Sequence, residues 1–99
     1  MKNIDFKEKN GKITFGDLFF DEKTDLAEHL IKLREDMLQV EFPNNYILDI
    51  GWSNDFEIDG YFIIYLIKDF DWESPVYLGN ANNYYELVEE INIAMELIP

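Results

Sequence analysis

Seven consecutive apolar or aromatic residues, Tyr61 to Ile67 (YFIIYLI), constrain the fold more than any other stretch of the chain. A strand of this composition presents large side chains on both faces, so it belongs inside a sheet that is covered on both sides. It is preceded by Tyr46 to Ile58, where apolar residues alternate with Asp49, Gly51, Ser53, Asp55 and Glu57. Asp59-Gly60 between the two halves is a hairpin signal. A two-residue turn there sets Ile58 opposite Tyr61, Phe56 opposite Ile63 and Trp52 opposite Ile67; with Leu48 and Ile50, one face becomes almost wholly apolar. A second layout ends the first strand near Ser53 and leaves residues 54–60 as a longer loop with the acids at its tip. The Asp-Gly pair favours the tight turn.

The flanking segments supply cover. Residues 1–10 are weakly specified, either a frayed end or a short edge strand, with Ile4 and Phe6 as anchors. Asn10-Gly11 marks a turn, Lys12 to Phe15 alternates as a strand does, and Gly16-Asp17 interrupts it. Leu18-Phe19-Phe20 then needs burial, beneath a helix or along an edge strand. From Thr24, the spacing of Leu26, Leu30, Leu33 and Met37, widened by Ile31 and Leu38, predicts an amphipathic helix. Thr24 is its expected N-cap, with Asp25 and Glu28 in the first turn. Pro43 ends it, and Asn44-Asn45 turns the chain into the sheet. Beyond the apolar run, Asp69 to Pro75 (DFDWESP) reads as a loop and Val76 to Leu78 as a short strand broken at Gly79. Asn83 with Glu86 resembles a capping box, and Tyr84, Leu87, Val88, Ile91, Met95 and Ile98 form one helical stripe. The expectation is a single α+β domain over residues 1–99: a small antiparallel sheet with a central β-hairpin, packed by two amphipathic helices, in the order strand, helix, three strands, helix.

At 99 residues, 47% hydrophobic and 16% aromatic, the chain can bury one core. It has no cysteine, which removes a disulfide framework and a thiolate metal site. The N-terminal stretch lacks the uninterrupted apolar core of a signal peptide, and Tyr61 to Ile67 is too short to span a bilayer, so a soluble cytoplasmic protein is expected. The net charge of −13 is unevenly placed. Residues 1–45 carry seven basic against ten acidic side chains, net −3; residues 46–99 carry Lys68 alone against eleven acids, net −10. Such a field repels nucleic acid and anionic membranes and speeds encounter with a basic partner.

Catalytic chemistry has little to draw on. The serines are Ser53 and Ser74, the one histidine, His29, sits beside the apolar stripe of the first predicted helix, and Arg34 is the one arginine. No Gly-rich phosphate loop is present. Asp55 to Gly60 matches the first half of a calcium loop, but its twelfth position is Leu66 where the bidentate Glu belongs, and its flanks read as strands; a plain turn is the simpler reading. Asp69 and Asp71 act as acid and base only if a cleft holds them. The expectation is therefore a protein that is not an enzyme, with no catalytic residue, cofactor or metal. Aromatics among acids suit a protein interface instead, because Trp buries a large area with few torsions while carboxylates pair with Lys or Arg on a partner. Trp52 falls on the expected core face. The expected partner-binding residues are Asp55, Glu57 and Asp59 in the acidic turn, and Asp69, Asp71, Trp72 and Glu73 in the following loop.

Tyr46-Ile47-Leu48-Asp49-Ile50-Gly51-Trp52, an acidic turn, an apolar strand, Asp71-Trp72-Glu73-Ser74-Pro75 and a closing amphipathic helix together resemble small immunity proteins of bacterial contact-dependent growth inhibition and related polymorphic toxin systems. The resemblance covers residues 46–98. It implies a cytoplasmic protein that binds and neutralises a cognate toxin domain, often a nuclease, by covering its active site or an essential surface. Contacts diverge within such families, so the binding residues named above come from charge and aromatic placement, not from the resemblance. The alternative is a structural or adaptor domain that pairs with another chain through a sheet edge.

Overall fold

Among the described residues five strands run antiparallel and pair in chain order: β1 (Lys12–Gly16), β2 (Leu38–Phe42), β3 (Tyr46–Trp52), β4 (Phe62–Lys68) and β5 (Tyr77–Ala81). One helix, α1 (Tyr84–Glu96), follows. This computed structural model describes residues 4–17 and 23–99; Leu18-Phe19-Phe20 lies outside the described residues. The α+β class and the antiparallel sheet agree with expectation, and β3–β4 is its longest-paired hairpin. Among the described residues no helix is long and apolar enough to cross a membrane.

Alternation decides the two faces of the sheet. Leu38, Val40 and Phe42 on β2, Leu48, Ile50 and Trp52 on β3, and Phe62, Ile64 and Leu66 on β4 pair across the strands and share one buried cluster. Leu87, Ile91, Ala94 and Met95 of α1 join that cluster, so the helix lies on this face. Each such large side chain contributes about 1.5–3 kcal/mol when removed from water. The helix starts where its sequence says it should: Asn83 Oδ1 accepts from the Glu86 N–H at 2.9 Å, and Glu86 Oε1 accepts from the Asn82 N–H at 2.8 Å. Its far end is tied to the N-terminal segment by Lys9, whose Nζ donates to the Ile98 carbonyl at 2.6 Å.

The β3–β4 register differs from the tight-turn expectation. Trp52 pairs with Phe62, not Ile67, and residues 53–61 form a loop, as in the longer-loop layout. The slip is an odd number of residues, so it turns β4 over relative to β3. Phe62, Ile64 and Leu66 join the helix face, whereas Ile63, Tyr65 and Ile67 share the other face with Ile47, Asp49 and Gly51. Phe56 and Ile58, expected in the core, stand about half exposed in the loop. The loop is held by tertiary bonds that a two-residue turn cannot make: Trp52 Nε1 donates to the Glu57 carbonyl at 2.8 Å, and the Phe56 N–H donates to the Leu33 carbonyl.

The first predicted helix is also corrected, and with it the packing by two amphipathic helices. Leu26–Lys32 is a short 3-10 stretch, interrupted by non-helical backbone at His29 (φ −130°, ψ 34°), and Asp25 rather than Thr24 caps it through the Ala27 N–H. Ile31 is 77% exposed. Leu38 begins β2, whose sequence LQVEF alternates with period two and pairs along its whole length with β3. Tertiary pairing outcompetes a helical stripe here because β3 offers a full ladder of hydrogen bonds and an apolar face. Asn44 and Asn45 make the intervening turn in left-handed conformations, φ 66° and 62°. Phe6–Lys9 is a single 3-10 turn rather than a strand or frayed end, with Ile4 and Phe6 packed against the core. Gly79 lies within β5 and does not break it.

Candidate functional site

The face of the sheet turned away from α1 carries a polar and aromatic row. Gln39, Asp49, Tyr65 and Leu78 are successive partners across β2 to β5, and their side chains therefore stand side by side. Behind Asp49 the next position is Gly51, where the β2 ladder breaks. The Met37 N–H still donates to Ile50 O at 3.0 Å and the Trp52 N–H to Arg34 O at 2.9 Å, but Glu35 and Asp36 between them bulge out. The bulge rests on Gly51: an added Cβ there would stand 1.8 Å from the Glu35 carbonyl oxygen. Asp55, from the β3–β4 loop, accepts the Glu35 N–H at 2.8 Å and pins the bulge from outside.

At the other end of β4, the Asp69–Val76 connection folds back over the same face. Asp69 Oδ1 accepts from Asn45 Nδ2 at 3.3 Å, and Asp71 Oδ1 accepts the Ser74 N–H at 3.2 Å. The turn they shape sets Trp72 edge-on to Tyr65, with ring centroids 6.4 Å apart and planes at 66°. Between bulge and connection lies a cleft of about 410 Å3. Its acidic side is Glu35, Asp36 and Asp49, its aromatic side Tyr65 and Trp72, and Gln39, Gly51, Trp52 and Ile63 complete it.

Asp49 is the chemical centre of this cleft. It is 6% exposed, the one buried charged residue among those described. Gln39 Nε2 donates to its Oδ2 at 2.6 Å. Burial pushes its pKa above the usual carboxylate value of 3.8; the Gln39 bond pulls it down, and the negative charges of Asp36 and Glu35 push it further up. The one basic residue of the acidic half, Lys68, is on the opposite face, its Nζ 5.1 Å from the Tyr46 ring centroid. Arg34 lines a hollow of about 240 Å3 on the far side of the bulge, with Phe15, Asp55, Phe56 and the same Glu35 and Asp36 that edge the cleft.

The seven expected partner-binding residues are all exposed, but they form two groups. Asp55, Glu57 and Asp59 leave from the start of β4; Asp69, Asp71, Trp72 and Glu73 follow its end. Of the seven, Trp72 alone lines the cleft. Asp55, Asp69 and Asp71 spend carboxylate oxygens on internal bonds, whereas Glu57 and Asp59 are held through their backbone carbonyls. Glu35, Asp36, Gln39 and Asp49 line the cleft without being among the residues expected from the sequence. The signal for Asp49 was its place within an otherwise apolar strand, and the signal for Gln39 was the alternation of LQVEF. Among the described residues no group of three or more His, Cys, Asp or Glu is arranged to hold a metal ion. No known protein family, curated protein or solved structure matches the chain.

Proposed function

We propose that this chain is a non-enzymatic immunity protein that works in the cytoplasm, binding the basic surface of a cognate bacterial toxin domain, a nuclease in the first instance, and neutralising it. The observation that carries the reading is the cleft: a buried carboxylate, two acidic neighbours and a half-exposed Trp72 share one concave site on a domain of net charge −13. Exposed acids at both ends of β4 flank that site and steer a basic partner toward it. Trp72 is 45% exposed and supplies the aromatic anchor that such interfaces use. The partner is a protein, since the field repels nucleic acid and anionic membranes alike.

The test is co-expression with the toxin domain encoded by the adjacent reading frame. A stable complex and rescued growth support the reading; a folded protein that neither binds nor protects overturns it. The second reading, an adaptor that pairs through a sheet edge, is favoured by β1, whose five residues are all exposed, with Ile13 at 49% and Phe15 at 45%. It predicts partner binding with weak salt dependence, insensitive to changes at Asp49 or Trp72.

A further inference from the structure

We infer that the cleft is a socket for one arginine side chain of the partner; this deepens the binding reading above and rests on it. Size sets the scale of the occupant. At about 410 Å3 the cleft is at the small end of the roughly 300–1,000 Å3 spanned by ligand pockets, which suits a side chain rather than a helix or strand. Charge sets its sign. Asp49 is buried, and the charged groups that act on it, Asp36 and Glu35, are both acidic. A carboxylate in that setting is costly until a cation arrives with hydrogen bonds. Gln39 supplies one donor to Oδ2, while an ionised carboxylate has about four acceptor sites, so the capacity for a forked donor remains.

The walls choose between cations. A metal ion needs several ligands drawn onto one point, an arrangement not found among the described residues. An organic cation accepts donors and acceptors spread along a cleft. Tyr65 and Trp72 stand at 66° to one another and both line the site. A guanidinium stacks on such a ring while its edge forks toward a carboxylate, and it is more weakly hydrated than an ammonium, so it loses less on entering. Arginine is therefore preferred to lysine.

The test is an NMR titration of the isotope-labelled full chain with N-acetylarginine amide and, separately, N-acetyllysine amide. The arginine probe should give saturable shifts at the Gln39 side-chain amide, the Gly51 and Ile63 amides and the Trp72 indole N–H, and bind about tenfold more tightly than the lysine probe. Asp49→Asn and Trp72→Ala should each weaken it at least about fivefold with the remaining spectrum unchanged, and Trp72→Phe should restore part of the loss. Equal response to both probes, shifts confined to other surfaces, or indifference to Asp49→Asn would falsify the socket. A toxin that still binds the Asp49→Asn and Trp72→Ala variants at full strength overturns the socket and spares the immunity reading. Arginine binding at these residues, without capture of the toxin, supports the socket and overturns the immunity reading.

Discussion

Gln39 and Asp49 face each other across β2 and β3, and the Gln39 side-chain amide donates to the Asp49 carboxylate at 2.6 Å. The pair joins two segments ten residues apart at the floor of the acidic cleft, and it makes the carboxylate's position tolerable without neutralising it. A hydrogen bond from a neutral amide offsets only part of the cost of burying a charge, so Asp49 opposes folding while it waits for a partner.

That cost has a pH signature. The folded-state pKa of Asp49 is raised above 3.8, chiefly by burial. A raised value means that the folded chain holds the proton more strongly than the unfolded chain. The resulting stabilisation is fully present below about pH 3.8 and is lost as pH rises through the folded value. Asp49→Asn keeps the shape and removes the charge. It should be more stable than the parent at pH 7, with the difference shrinking toward zero as the pH falls below the carboxylate range. Thermal unfolding across a pH series measures this, and a variant less stable at pH 7 would contradict the assignment.

Gln39→Leu acts in the opposite sense. It leaves the carboxylate buried without its amide donor and should cost roughly 1.5–3 kcal/mol at neutral pH, the range for hydrogen bonds to charged groups. The loss should diminish in acid, where Asp49 is protonated. Urea unfolding at the two pH values separates this from a simple packing defect, whose cost would not change with pH.

Gly51→Ala tests the bulge. The new methyl would meet the Glu35 carbonyl at 1.8 Å, and that group is backbone with no side-chain rotation to relieve the clash, so Glu35 and Asp36 must leave the sheet surface. Destabilisation of roughly 3 kcal/mol is expected, together with loss of the cleft's acidic rim. Chemical denaturation gives the first, and altered amide shifts at Glu35 and Asp36 give the second.

The exposed acids divide into structural and steering groups. Asp55→Ala removes the acceptor for the Glu35 N–H and should cost about 1 kcal/mol. Glu57→Lys and Glu73→Lys change no side-chain bond seen in the fold and should shift stability by no more than about 0.5 kcal/mol. Their effect should fall on the association rate with a basic toxin, more than on dissociation, and grow at low salt. Surface-binding kinetics at two ionic strengths distinguish the groups.

Tyr77 gives a check far from the cleft. Its hydroxyl donates to Glu90 at 2.6 Å, tying β5 to α1, and that bond, with burial and nearby negative charge, raises its pKa to about 12. The stabilisation is present below the usual value of 10.0 and is lost as the pH rises through about 12. Tyr77→Phe should cost about 1 kcal/mol at neutral pH, and the difference should fade in strong alkali. Ultraviolet difference titration of the parent should show a late-titrating component near pH 12 that the variant lacks.

The parts of the fold that could be read in advance are those written within a few residues. Asn83 meets Glu86 three positions away, and the α1 stripe from Leu87 to Met95 needs only a helical period and an apolar neighbour. Asn10, Asn44 and Asn45 take the left-handed conformations that their short polar side chains tolerate. The Leu26 to Leu38 stripe failed because two patterns overlapped there: four apolar residues at helical spacing, and an LQVEF alternation that only a neighbouring strand could reward.

Sequence alone thus determined the helix that closes the chain, the asparagine turns at Asn10 and Asn44-Asn45, the acidic balance and the burial of one side of the Tyr61 to Ile67 run; the tight turn at Asp59-Gly60 and cover on both faces did not follow, since Tyr61 is 42% exposed and Ile63 and Tyr65 line the cleft. Tertiary structure decided which way that strand faced. An all-apolar run has no polar side to betray its register, so the choice passed to the bonds of the 53–61 loop, which join Trp52 to Glu57 and Phe56 to Leu33. That choice placed Tyr65 beside Asp49. The Glu35 bulge and the returning Trp72 connection then enclosed the pair from distant parts of the chain. Residues from β2, β3, β4 and a loop meet there because backbone pairing and burial bring them together, and no local spacing encodes such a meeting.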